Sequence, residues 1–324
     1  MKLPLHPEFL THSKGDTFLL AISGGRDSVA LLHSLLEHGY DKLVLCHVNH
    51  RLRAADSEQD AAWVEDLAKR FDLPCELTSV DVASVAESRQ QSIELAARNT
   101  RHQFFSRCAV QHHCHCVLLA HHADDQAETI LFNLLRGSGG LKGMDHASQH
   151  EIDGVSLQFL RPLLQTTRSD IDAYIQQQHI SYREDHSNAQ AVATRNRLRN
   201  EALPLLEDIM GRNVKPALVR AAAIAQSTQQ SLQEVLQGYE LEDPQGRLYL
   251  PTLASLSPAL RQMAVHDYLQ KHQVAEISSD LITRCLSLIE DSSIAKVNLP
   301  QDRYFRRKEK RLFIDSSPSH PSCE

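Results

Sequence analysis

The stretch Ala21-Ile22-Ser23-Gly24-Gly25-Arg26-Asp27-Ser28 decides how the rest of this chain is read. Before it, the apolar run Phe18 to Ile22 has the continuous hydrophobicity of a buried parallel strand. After it, Val29, Leu31, Leu32, Leu35 and Leu36 recur at the spacing of a helix with one core face. The turn between them has room only for small residues. Two adjacent glycines permit positive φ and close backbone approach, and Ser23 and Ser28 bring hydroxyls to a helix N-terminus whose first N–H groups lack partners. Such a corner cradles anions, phosphates above all. It is not a Walker A loop, because the Lys-Ser or Lys-Thr that closes that motif is missing.

Working outward, Leu43 to Val48, a segment near Cys75 to Val82, and Cys116 to Ala120 read as further strands, with helices at about 56–71 and 92–110 between them. This alternation predicts an α/β fold, a doubly wound parallel sheet whose ligands bind beyond the carboxyl ends of the strands. The Ser23 to Ser28 turn and the segments starting at His47 and His121 all follow strand ends and are expected to meet at one edge. His121-His122-Ala123-Asp124-Asp125-Gln126-Ala127-Glu128-Thr129 opens a helix to about Leu135. At ~100° per residue, Ala127, Ile130, Leu131 and Leu134 form its core stripe, with Asp125 and Glu128 nearly opposite. His121 stands four residues before Asp125, so one face is expected to carry three ionisable groups. The loop Arg136-Gly137-Ser138-Gly139-Gly140 is either a second phosphate contact or a helix end. Val155 to Leu160 reads as a fifth strand, and Arg195, Arg197 and Arg199 as a basic helix edge beside an apolar one.

The 324 residues call for two domains. We place them at 1–213 and 241–315, joined by an Ala- and Gln-rich helical connector at 214–240 and followed by a polar, disordered tail at 316–324. The second domain is smaller and mainly helical, ending in a hairpin from Val297 to Ile314. There Arg303, Arg306, Arg307, Lys308, Lys310 and Arg311 interleave with Tyr304 and Phe305, a pattern suited to an RNA backbone and stacked bases or to a charged edge strand. A net charge of −7 does not exclude a nucleic-acid partner, since binding depends on where the basic groups lie. Seven cysteines with no CxxC pair, no charged-then-apolar leader and no long apolar run point to a reduced, cytoplasmic protein without a membrane span. His112-His113-Cys114-His115-Cys116 has zinc-ligating residue types but no partner pair at zinc-site spacing, so no dedicated metal centre is expected.

Together these segments resemble one family, the tRNA(Ile)-lysidine synthases of the PP-loop ATP pyrophosphatase superfamily. The resemblance rests on Ser23-Gly24-Gly25-Arg26-Asp27-Ser28, His47-Val48-Asn49-His50-Arg51-Leu52-Arg53, Ile93-Glu94 with Arg98 and Arg101, and Ala120 through Thr129. It continues in Arg136-Gly137-Ser138-Gly139, Arg161-Pro162-Leu163, Asp185-His186-Ser187-Asn188 and Arg195 through Arg199. It covers about residues 17 to 210, with the C-terminal third matching weakly and one C-terminal domain expected where longer members carry two. It implies ligation of free L-lysine to the wobble cytidine of an isoleucine tRNA with a CAU anticodon, with ATP and Mg²⁺. Ser23, Gly24, Gly25, Arg26, Asp27, Ser28 and His47 would hold ATP, and Asp125 and Glu128 would bind lysine. Asp27, His121, Arg195 and Arg199 would serve the chemistry, the arginines against either ATP or RNA. Arg51, Arg53, Arg98, Arg101, Arg303, Arg306, Arg307 and Lys308 would contact tRNA. A thiolating PP-loop enzyme and a non-catalytic nucleotide-binding module are the alternatives, and the oligomeric state, a homodimer included, stays open.

Overall fold

A computed structural model describes residues 2–51, 55–137, 141–183 and 194–316. Two compact units divide the chain, Met1–Ala222 and Ala223–Glu324. In the first unit the order is β1 (Phe18–Ala21), α1 (Arg26–Glu37), β2 (Leu43–Asn49), α2 (Ala55–Arg70), β3 (Cys75–Ser79), α3 (Val82–Ser88), α4 (Ile93–Gln111), β4 (Cys116–Leu118) and α5 (Ala123–Leu135). It continues with β5 (Ala147–Ile152), β6 (Val155–Leu160), α6 (Arg168–Gln178), α7 (Thr194–Arg197), a π-helical turn Leu198–Ala202, α8 (Leu203–Met210) and α9 (Lys215–Gln237), which crosses into the second unit.

The six strands lie in the order β3-β2-β1-β4-β6-β5, parallel except for β5. β1 is the topological switch: it pairs with β2 on one side and with β4 on the other, so the loops after β1 and β4 leave the sheet side by side. The inner strands carry no exposed apolar face. Leu20, Leu45, Leu118 and Leu160 pack with Val29, Leu32 and Tyr174 on one side, and Leu19, Val44, Val117 and Phe159 pack with Phe104, Phe105 and Cys108 on the other.

Two elements of this unit differ from the sequence expectation. β5 pairs antiparallel with β6 through a two-residue turn in which Asp153 (φ 52°) and Gly154 (φ 76°) are both left-handed. Asp-Gly between two runs is the residue pair such a hairpin requires, so the signal was present. The expected strand Cys75 to Val82 stops at Ser79, and Asp81 instead caps α3, accepting a hydrogen bond from the Ser84 N–H at 3.1 Å.

The second unit contains β7 (Leu248–Tyr249), α10 (Leu250–Ser255), α11 (Pro258–Lys271), α12 (Ser279–Glu290), β8 (Lys296–Leu299), β9 (Arg303–Lys308) and β10 (Arg311–Ser316). The expected hairpin is the middle of a four-stranded antiparallel sheet, β7-β10-β9-β8, whose Phe305 and Leu312 are fully buried against Tyr268, Cys285 and Leu288. Much of the basic run serves this packing. Arg303 donates to the carbonyls of His272 and Gln273 at the end of α11, and Arg307 to those of Leu288 and Asp291 at the end of α12, where the helix dipoles favour cations. Arg311 reaches Asp243 at 2.8 Å and Arg306 reaches Asp315 at 3.2 Å, leaving Lys308 and Lys310 exposed. Arg307→Ala should therefore lower unfolding stability by about 1–2 kcal/mol in a urea titration, while Lys308→Ala stays within about 0.5 kcal/mol of the parent.

Candidate active site at the edge of β1 and β4

The glycine turn is built as its residue types require. Gly24 has φ 83°, and a Cβ there would stand 3.5 Å from the Trp63 ring. The Ser28 hydroxyl accepts from the Ser23 N–H at 3.2 Å and donates to the Gly25 carbonyl at 2.9 Å, while the Ser23 hydroxyl accepts from the Gly25 N–H at 3.2 Å. These bonds hold the loop open at the start of α1, whose N-cap is Gly25 and which has no side-chain cap. The helix end is thus left to an anion. Arg26 turns away from the cradle toward Asp27 (3.0 Å) and Asp172 (2.8 Å). His47, 5% exposed, meets the Ile22 carbonyl at 2.9 Å, which fixes its proton on Nδ1 and leaves a buried Nε2 lone pair without a hydrogen-bond partner among the described residues.

Across the switch, the sequence reading needs a correction. α5 begins at Ala123, so His121 is not on its first turn and shares no helical face with Asp125 and Glu128. The N-cap is His122: its Nδ1 accepts the Asp124 N–H at 3.2 Å, and Asp125 Oδ2 accepts the His122 N–H at 3.1 Å, a reciprocal capping box. With Nδ1 occupied as an acceptor, the imidazole presents Nε2 between two carboxylates, 3.6 Å from Asp27 and 3.5 Å from Asp125. The signal in the sequence that identifies His122 is its place directly before the acidic first turn of α5. Burial works to lower its pKa, but Asp27, Asp125 and Asp124 outweigh that and raise it. Burial opposes ionisation of Asp27 as well, yet His122 and Arg26 bring it to about 2. Asp124 is structural, accepting from the Arg168 N–H at 2.9 Å and Lys215 Nζ at 2.8 Å.

Arg199 is the largest departure from the sequence picture. It lies on neither a phosphate cradle nor an exposed basic edge: its guanidinium closes over Glu128 (2.6 Å) and Asp125 (2.6 Å). Burial raises the Glu128 carboxyl, with Asp125 adding to the rise and Arg199 opposing it. Arg195 stays outside this group, exposed with its guanidinium 5.3 Å from the Phe132 ring centre, and Arg197 pairs with Glu201. His121 is acted on by charges of both signs. Burial, then Arg161 and Arg101 against a favourable Asp125, brings His121 to about 4, and burial, Arg101 and His47 bring His50 to about 4. Arg98 and Arg101 are exposed on α4, and Arg51, with φ 52°, holds Ser79 Oγ at 2.7 Å. Arg53, Ser138 to Gly140, Asp185 to Asn188 and the tail beyond Ser316 lie outside the described residues.

Among the described residues one group has metal-ligand spacing, His6, Glu8 and His146, with ligand atoms within 4.8 Å of one another. The two imidazoles are stacked 4.0 Å apart at 8°, so one ion cannot lie in both ring planes, and the group is not read as a metal centre.

The Asp27 depression fixes a pH dependence. A folded-state pKa of about 2 lies below the unfolded value, so the stabilisation is full above about pH 4 and is lost as pH falls through about 2. The stability gap between the parent and Asp27→Asn, read from thermal melts, should be open at pH 6 and closed at about pH 2. His122→Asn keeps an acceptor at the capping position and should cost less stability than His122→Leu by about 1 kcal/mol.

A profile of the PP-loop domain matches residues 5–206. Over 210 residues the chain is 42% identical to the tRNA(Ile)-lysidine synthase of Porphyromonas gingivalis, covering 64% of this chain and 44% of the relative. That of Deinococcus deserti is 36% identical over 88% of this chain and 51% of its own length. The chain thus spans about half the length of these curated relatives. The tRNA(Ile)-lysidine synthase of Chlorobaculum tepidum is 32% identical over 87% of this chain and 85% of its own length. The U34-tRNA thiolase NcsA from Methanococcus maripaludis shares the fold, with a TM-score of 0.52 and 14% identity over 68% of this chain and 75% of that one. With its glycine turn, its switch-point edge and relatives that match over most of its length, the chain belongs to the tRNA(Ile)-lysidine synthase family of PP-loop proteins.

Proposed function

We propose that the protein joins free L-lysine to C2 of the wobble cytidine of an isoleucine tRNA bearing a CAU anticodon, using ATP and giving lysidine, AMP and pyrophosphate. The observation that carries this reading is the acidic pair Asp125 and Glu128, which already clasps a cationic side chain, linked through His122 to Asp27 in the phosphate-binding turn. A cation site and an anion site thus face each other across one crevice. An enzyme that brings a lysine ammonium to a nucleotide-activated base needs that pairing.

In the first step the cytidine 2-oxygen attacks the α-phosphorus of ATP and pyrophosphate leaves. The Ser23 to Ser28 turn and the start of α1 hold the leaving phosphates with fixed N–H dipoles. Asp27, kept ionised, is the residue that would hold Mg²⁺, which when bound offsets charge on the leaving group. In the second step the lysine ε-amine attacks C2 and AMP departs. Asp125 and Glu128 orient the incoming ammonium, and the amine must lose a proton before it attacks. His121, which burial keeps neutral near pH 7, has an unprotonated ring nitrogen to accept one. His47 Nε2 offers an acceptor to a nucleotide amino or hydroxyl group. Arg98 and Arg101, with Lys308 and Lys310 in the second unit, are exposed cations for the RNA backbone.

The thiolating alternative gains no support from Cys75, Cys114, Cys116 and Cys285, whose thiols burial raises rather than activates. Incubation with ATP, lysine and the tRNA should yield lysidine with AMP and pyrophosphate, and ADP as the main nucleotide product would overturn the reading. Ser28→Ala should abolish adenylation in a folded protein. Asp125→Asn should raise the KM for lysine roughly tenfold or more while cytidine adenylation, which needs no lysine, continues. Loss of ATP use with an unchanged lysine KM would move the carboxylates to the metal.

A further inference from the structure

Arg199 stands on the π-helical turn Leu198–Ala202, between α7 and α8. Its Nε donates to Glu128 Oε1 at 2.6 Å, and its Nη2 donates to Glu128 Oε2 at 2.9 Å and to Asp125 Oδ1 at 2.6 Å. The remaining oxygen, Asp125 Oδ2, is turned to the backbone N–H of His122. Every carboxylate oxygen of the pair is therefore engaged, three of the four by one guanidinium. The Arg199 side chain is 33% exposed and that of Glu128 only 8%, so the cation covers the carboxylates from the solvent side.

This arrangement bears on how lysine could enter. An ammonium needs the same outward oxygens, and a second positive charge cannot share them with a guanidinium at contact distance. A planar guanidinium also matches two carboxylate oxygens better than an ammonium does. The occupant is therefore a strong one, and the substrate must displace it.

We propose that Arg199 is an internal competitor for the amino-acid pocket, a specificity- and affinity-setting residue that occupies Asp125 and Glu128 until lysine takes its place. The inference rests on reading those two carboxylates as the lysine pocket. Two features suit Arg199 to leaving. Its turn is π-helical, a rare local widening found frequently at functional sites. It also lies within electrostatic reach of Asp27, at the phosphate-binding edge. A guanidinium displaced from the carboxylates thus meets a stronger anion beside Asp27 when the nucleotide phosphates are bound than when they are not. Self-occupancy lowers the apparent lysine affinity by the fraction of time the pocket is open, and nucleotide raises that fraction. Lysine and nucleotide then bind with positive coupling, which by reciprocity must appear in both affinities.

The test is calorimetric titration of lysine into the full-length protein at pH 8, with and without the α,β-methylene analogue of ATP. That pH is chosen because Glu128, already raised by burial, rises further when its partner is removed. Wild type should bind lysine more tightly when the analogue is present. Arg199→Gln should bind lysine about fivefold or more tighter than wild type without nucleotide, and the analogue should no longer change that affinity. A weaker or unchanged lysine affinity in a variant with native circular dichroism would overturn the proposal and make Arg199 part of the scaffold. Should Arg199→Gln fail to fold, Arg199→Lys decides the matter. Its shorter, single-point cation should be displaced more easily than arginine, and an affinity at or below wild type overturns the idea. Asp125→Asn separates the two layers: lysine binding indifferent to that change overturns the pocket reading itself, whichever way Arg199 behaves.

Discussion

The pairing of β1 with β2 on one side and β4 on the other is the constraint on which the site depends. Each parallel strand needs a crossover before the next, and crossovers that run in opposite directions from β1 leave a crevice at its carboxyl end that no connection fills. The glycine turn and the start of α5 are the two lips of that crevice. Registers such as Leu20 opposite Leu118 and Leu20 opposite Leu45 set how far each lip protrudes, and every inward-facing leucine of the core opposes a slip.

Asp27, Asp125 and Glu128 gather around His122 and Arg199, while Arg101 acts on His50 and His121 and Arg161 on His121. Three carboxylates brought close together and partly dried would repel one another and rise in pKa. His122 and Arg26 hold Asp27 ionised, and Arg199 with His122 limits the rise at Glu128. At His121 and His50 burial prevails and both stay neutral near pH 7, with buried Nδ1 atoms that lack hydrogen-bond partners among the described residues.

The second unit shows how composition can mislead about role. A run of arginines and lysines on a strand looks like a binding surface, yet Arg303 and Arg307 are committed to the carbonyl ends of α11 and α12. Nothing local to β9 announces this, because the partners are 16 to 31 residues away and reach the strand only when the helices pack on the sheet.

The sequence alone determined the alternation of strand and helix, the anion-binding character of Ser23 to Ser28 and the nearness of Asp125 to Glu128, because each follows from local spacing, small residues or helical periodicity. It also held the Asp153-Gly154 turn that makes β5, which was missed, as was the His122 cap. Only the tertiary structure decided which histidine faces the carboxylates and that Arg199 occupies them. Helical counting failed for His121 because the helix starts two residues later, and a boundary of that kind is set by capping bonds rather than by periodicity. Arg199 meets Glu128 from 71 residues away, a contact made by packing against Leu131, Leu198 and Leu203 that no pattern along the chain encodes.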